Sequence, residues 1–197
     1  MMQNNIKIAI TGGICSGKST VAEIIKEQGY KVYSCDEIYR ELLIDTNFID
    51  LLDSEFGGVK KYDGTLDRAK LSEIVFNDSE KLNKLNSLTH PKILQRAMDL
   101  MSGRGIYFCE VPLLFEGGFE KLFDNVIVVL RDKNERVKEL MKRDKLEEKS
   151  AILRLNSQFD YEINNFIEYY VIHNCDNLIE LHKNVVNVIA AIIKDYN

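Results

Sequence analysis

Short unbroken apolar runs alternate along this chain with longer stretches in which apolar side chains recur every three or four residues. "IKIAI" (6 to 10), "KVYS" (31 to 34), "IYFCEV" (106 to 111), "NVIVVL" (125 to 130) and "YYVIHN" (169 to 174) read as strands, several with the continuous apolar character of a buried parallel sheet. After the first run, "STVAEIIKEQG" puts Val21, Ile24 and Ile25 on one helical face, with Gly29 as a C-terminal stop. Asp36 reads as the N-cap of "EIYRELL". No strand signal follows until residue 105. "FIDLLDSEF" carries Phe48, Leu51, Leu52 and Phe56 on one face, "DRAKLSEIVF" and "DSEKLNKLNSL" repeat that period, and Pro91 opens "PKILQRAMDLM" where proline suits a first helical turn. Residues 131 to 158 read as two helices rich in Arg and Lys. The chain closes on an amphipathic helix with Leu178, Leu181, Val185, Val188, Ile189 and Ile192 at helical spacing. The alternation predicts an α/β fold, a parallel sheet flanked by helices on both faces with ligands at the C-terminal strand ends.

Composition narrows the class. A length of 197 residues suits one compact unit with small insertions. Hydrophobic content of 45% and charged content of 29% are those of a globular domain, and the net charge of −5 argues against a general nucleic-acid surface, so an anionic ligand must be held locally. No run approaches the roughly 18 apolar residues of a membrane span. Cys15, Cys35, Cys109 and Cys175 lack metal-ligand spacing and suit reduced thiols in a cytosolic protein.

The chemistry begins with "ITGGICSGKST" (10 to 20). Gly12, Gly17, Lys18 and Ser19 fit the phosphate-loop pattern GxxxxGK[ST], placed between a strand and a helix as that pattern requires. Backbone amides from Gly13, Ile14, Cys15, Ser16, Gly17 and Thr20 would converge on phosphates, Lys18 would reach the β- and γ-phosphate oxygens, and Ser19 would join a Mg²⁺ shell. The guanine-reading NKxD and switch DxxG strings of GTPases are missing from the sequence. A small-molecule kinase further needs a base, an acceptor-binding insertion and a basic lid. Asp36, at the end of the second strand and expected beside the loop, is the base candidate; residues 37–104 are the insertion; Arg136, Arg143 and Arg154 are lid candidates. Glu110 stands where an acid could meet Mg²⁺ through water. "VPLLFEGG" would make an apolar wall, or pack in the core.

Taken in order, these motifs resemble the dephospho-CoA kinase family over nearly the whole chain. "TGGICSGKSTV" is similar to the family's "TGGIGSGKSTV", "DGTLDRAKLSEIVF" to its acceptor signature, "LNSLTHPKI" to its "LN…HP.I", "EVPLLFEGG" to its "VPLLFE" segment, and "RDK…SQF" with "VIHN" to its lid and closing strand. The resemblance implies a P-loop kinase core (1–36, 105–130 and 168–197), a helical acceptor domain (37–104) and a lid region (131–167). It implies transfer of the ATP γ-phosphoryl group, with Mg²⁺, to the ribose 3′-hydroxyl of dephospho-CoA, by a cytoplasmic protein expected to be a monomer without nucleic-acid or membrane partners. Asp36 matches the second acid of the family's "DAD" and would be the base. Lys18 and Arg143 would serve the transfer, and Arg154 and Asn174 the nucleotide. Thr11, Arg68, His90, Leu113, Leu114 and Phe115 fall on the acceptor side. A nucleoside monophosphate kinase and a nucleotide-binding protein without transfer stay open as alternatives.

Two departures stand out. Ser34 replaces the first acid of "DAD", with Cys35 between it and Asp36, and Cys15 replaces a family glycine. A left-handed backbone at Cys15 would be strained, so an ordinary negative φ is expected there. Its place near Lys18 and a helix N-terminus would favour a reactive thiol of lowered pKa; the alternative is an inert small side chain filling the glycine site. Whether Cys15 and Cys35 approach bridging distance is not legible in the sequence.

Overall fold

The computed structural model describes residues 5–196. They divide into two compact units where length suggested one: the first runs through Tyr33 and resumes at Met101, and the second is Ser34–Leu100. The reason is that the helical insertion buries an apolar cluster of its own.

The first unit is built on a sheet of order β2-β3-β1-β4-β5. Its strands are β1 (Asn5–Thr11), β2 (Lys31–Ser34), β3 (Gly105–Glu110), β4 (Asn125–Leu130) and β5 (Tyr170–His173). β1 is central and parallel to both neighbours, with Ile8 opposite Phe108 on one side and Asn125 on the other, and β4 pairs β5 in the same sense. Ile8, Ile10, Phe108, Ile127 and Val129 are almost fully buried, which is why these segments carry no polar alternation. α1 (Lys18–Glu27) and α8 (Leu178–Tyr196) complete this core through Val21, Ile25, Leu181, Val185, Ile189 and Ile192. Leu178, expected on the same face, is exposed in the first turn of α8. The end of β1 enters the phosphate loop through Gly12 at φ 150, where a Cβ would strike the Val129 carbonyl. After β4 come α6 (Lys133–Asp144) and α7 (Glu148–Asn156), whose Val137, Leu140, Ala151 and Leu155 form a small cluster against Ile14 and Cys15.

The second unit holds α2 (Cys35–Leu42), α3 (Thr46–Phe56), α4 (Arg68–Phe76) and α5 (Ser79–Leu100) around Phe48, Ile49, Leu52, Leu71, Val75 and Leu85. Two local expectations are corrected. Ser34, not Asp36, caps α2, its side chain accepting from the Glu37 amide, and Asp36 sits inside the first turn. Pro91 does not start a helix; it lies within the 22-residue α5. Proline there removes an amide that would have bonded four residues back. The apolar face of Leu85, Ile93, Leu94 and Ala97 runs past the proline on both sides, and its burial carries the helix through.

Candidate active site

The phosphate loop is shaped by donors brought from distant parts of the first unit. Lys18 Nζ donates to the carbonyls of Gly12 (2.9 Å) and Gly13 (3.1 Å). Arg136 Nε donates to Ile14 O at 3.0 Å, Arg131 Nη1 to Cys15 O at 3.0 Å and Asn174 Nδ2 to Ser16 O at 3.0 Å. Every carbonyl from Gly12 to Ser16 is therefore held by a side-chain N–H. Fixing these carbonyls also fixes the amides that share their peptides: contrary to expectation the Ile14 and Ser16 amides are taken, by Gln158 Oε1 and the Gly13 carbonyl, and those of Cys15 and Gly17 are the candidates for an anion-binding nest. The first turn of α1 continues it with the amides of Ser19 and Thr20, which no preceding helical turn can pair. Two positive charges, on Arg131 and Arg136, back this surface. Arg136 is only 6% exposed and lies against Gly13, and burial lowers its pKa. Ser16 Oγ is buried without a hydrogen-bond partner, while its N–H donates to the Gly13 carbonyl and its own carbonyl accepts from Asn174.

Cys15 corrects two expectations. Its φ is 59, left-handed rather than negative. The side chain packs against the α6–α7 cluster and its carbonyl is fixed by Arg131, so tertiary contacts over-determine a conformation the residue does not prefer. Its thiol pKa is raised, not lowered, because burial outweighs the nearby Arg143.

Ser19 Oγ lies 3.1 Å from Glu110 Oε1, joining the first turn of α1 to the end of β3. This hydroxyl and carboxylate are hard oxygen donors of the kind Mg²⁺ accepts alongside water and phosphate, so the pair fits that ion. A cavity of about 510 Å³ opens beside the loop, bounded in part by Arg131, Arg136, Tyr161, His173 and Asn174. Thr11, expected toward an acceptor, is fully buried and shares a hydrogen bond with the Tyr161 hydroxyl at 3.2 Å. Burial pushes the Tyr161 pKa up to about 12. Leu114 is likewise completely buried and is core, whereas Leu113 is exposed. Phe115 joins the rings of Phe159, Tyr161, Phe166 and Tyr169 at centroid distances of 5.0 to 6.1 Å. Arg143 and Arg154 are exposed and bind Asp144, whose pKa the hydrogen bond from Arg143 lowers; Arg143 meets the loop only through its charge, near the Cys15 thiol.

In the second unit, Asp36 is exposed in the first turn of α2. In the sheet β3 lies between β1 and β2, so β2 is not the direct neighbour of the strand that enters the loop. Arg68 is exposed at the start of α4 and raises the positive potential at half-buried Tyr39. His90 is half-buried in α5, and burial lowers its pKa.

A family model for dephospho-CoA kinase matches residues 6–180. The chain belongs to the dephospho-CoA kinase family. It is 37% identical to the dephospho-CoA kinase of Fusobacterium nucleatum over 90% of this chain and 94% of that one. Among solved structures it is similar to a Thermus thermophilus protein (31% identity, TM-score 0.81, 94% and 96% of the two chains) and to dephospho-CoA kinase from Campylobacter jejuni (32%, TM-score 0.67, 94% and 96%).

For this family member, sequence reasoning missed Arg131 and Gln158 as loop contacts and did not connect Arg136 to the loop. Gln158 Oε1 accepts from the Ile14 amide at 2.7 Å. The quoted "RDK…SQF" contains both residues, but a motif string does not say that a side chain 144 residues away meets a loop peptide.

Proposed function

We propose that this chain transfers the γ-phosphoryl group of ATP to the 3′-hydroxyl of the ribose of dephospho-CoA, giving coenzyme A and ADP. The observation that carries this reading is the family match over residues 6–180, which runs through the loop, the insertion and the basic helices alike. The loop geometry supports the donor half: amides turned inward, Lys18 at its mouth and two arginines behind it suit a polyphosphate. Ser19 and Glu110 would hold Mg²⁺, which supplies charge neutralisation at the phosphate oxygens when bound.

Asp36 accepts the proton of the attacking hydroxyl as the new O–P bond forms and the bond from the γ-phosphorus to the β–γ bridging oxygen breaks, with the electron pair leaving on ADP. Lys18 holds the β- and γ-oxygens. Arg143 and Arg154, from the 131–167 lid region, supply positive charge to the transferring group. Their partner Asp144 is open to solvent, and ion pairs screened by water are weak enough to be exchanged for phosphate oxygens. Arg68 and His90 serve acceptor binding within the 37–104 domain.

A coupled ADP-release assay over an acceptor panel tests the assignment. ADP formation should depend on dephospho-CoA; release with AMP or a sugar but none with dephospho-CoA would overturn it.

A further inference from the structure

The peptides on both sides of Ile14 are gripped by the lid segment: the Gly13–Ile14 peptide through its N–H by Gln158 at 2.7 Å and the Ile14–Cys15 peptide through its C=O by Arg136 at 3.0 Å. Gln158 follows α7 directly, one turn beyond Arg154 on the same helix end. The next residue is anchored too, because the Phe159 amide donates to Glu116 Oε1 at 3.0 Å and its ring meets Phe115 at 5.0 Å. The root of the basic segment is thus pinned at two points while Arg143 and Arg154 stay exposed. The strained residue of the loop, Cys15 at φ 59, comes immediately after the gripped peptide. An isolated chain would relax that φ, so some interaction must hold the peptide preceding Cys15 as well as the one following it. Arg136 holds the carbonyl of the preceding peptide, Arg131 that of the following one, and Gln158 fixes the peptide one step further back, which sets the angles at Ile14 that lead into the turn.

Resting on the kinase reading above, we infer that Gln158 is the positioning residue that holds the Ile14–Cys15 turn in its phosphate-receiving form. It couples the base of α7, and so the helix that presents Arg154, to nucleotide binding. Gln158 touches neither phosphate nor acceptor; it acts through the Ile14 amide. Without that acceptor the Ile14 N–H has lost its fixed orientation, the turn is free to relax toward negative φ at Cys15, and the amides beyond it turn away from a phosphate.

Two variants test this on the full-length protein. Q158M removes the acceptor at nearly constant volume; Q158E keeps an acceptor oxygen for the Ile14 N–H. Calorimetry should show ADP binding about tenfold weaker in Q158M, the equivalent of one hydrogen bond. The KM for dephospho-CoA should be unchanged. Iodoacetamide labelling at neutral pH, read at Cys15 by peptide mass spectrometry, should be several-fold faster in Q158M than in wild type and restored to the wild-type rate in Q158E. A purely structural role for Gln158 would lower the unfolding midpoint without moving Cys15 labelling under native conditions. Wild-type ADP affinity in Q158M, or Cys15 labelling as fast in Q158E as in Q158M, overturns the proposal. ADP affinity and Cys15 labelling need no acceptor, so an acceptor panel that sank the kinase assignment would leave this test standing.

Discussion

At almost any position with ordinary backbone angles, alanine is more stabilising than glycine; Cys15 should reverse that order. A non-glycine residue in the left-handed region costs about 1–2 kcal/mol, and Cys15 sits there at φ 59. Replacing it by glycine removes that cost, while the greater freedom of glycine in the unfolded chain returns about 0.4–1 kcal/mol. Both Cys15→Gly and Cys15→Ala lose the sulfur packed against the α6–α7 cluster, so the packing loss largely cancels between them. The remainder favours glycine over alanine by about 1 kcal/mol. In a chain of this size that is a difference of about 2–4 °C in melting temperature. Against wild type, C15G should be nearly neutral, because the released strain is set against roughly 0.8 kcal/mol for a buried group of methylene size, whereas C15A should be destabilised. Urea denaturation of the three proteins without nucleotide, followed by circular dichroism, measures the order directly. C15A equal to or more stable than C15G would refute the left-handed assignment and with it the account of how the loop is held.

Asp36→Asn should lower turnover by about 10²–10⁴, the usual contribution of a general base, while ADP affinity stays at wild type; unchanged turnover would remove Asp36 from the mechanism, and a wild type without turnover would favour the binding-protein alternative. R136M leaves the Ile14 carbonyl without its donor and should cost about 1–3 kcal/mol in chemical denaturation; a wild-type midpoint would show that the carbonyl does not need Arg136. Because the Tyr161 pKa is raised to about 12 in the folded chain, against an ordinary value of 10, the folded state holds this proton where the unfolded state has lost it. Its contribution is therefore complete below pH 10 and lost as pH rises toward 12. Y161F should flatten that part of the alkaline slope and cost about 1 kcal/mol at neutral pH from the lost Thr11 hydrogen bond; a slope identical to wild type would contradict the shift.

What the sequence revealed and what it hid divide along physical lines. Strands buried on both faces write themselves as apolar runs, as β3 and β4 do; the less buried β2 and β5 were legible from their β-branched and aromatic residues, and the phosphate loop because its glycines answer to local backbone needs. The helical insertion at 37–104 was legible as helices, but not that it buries a cluster of its own, since its helices have the same apolar period whether they pack on the sheet or, as Phe48, Leu52, Leu71 and Val75 do, on one another. Pro91 was misread because the local rule places proline at helix starts, while the burial that carries α5 across it is tertiary. Asp36 was taken as a cap because both Ser34 and Asp36 are capping residues, and only the backbone angles at Ser34, φ −130 and ψ 125, decide between them.

Cys15 shows why the remainder could not be read. The expectation of a negative φ was sound for an isolated segment: nothing in "GGICSGK" by itself compels a cysteine into the left-handed region. The compulsion comes from hydrogen-bonding side chains far away in the chain. Arg131, Arg136, Gln158 and Asn174 fix the peptides around it, and each belongs to a segment whose own pattern says only helix, turn or strand end. The same contacts explain why the thiol pKa is raised rather than lowered as its proximity to a helix N-terminus suggested. The packing that secures the strained backbone also half-buries Cys15, and desolvation outweighs the neighbouring positive charge. A phosphate loop must present its amides before the anion arrives, and this chain achieves that by spending side-chain donors on carbonyls. The residues that shape the nest therefore lie behind it, where a motif centred on the loop does not look.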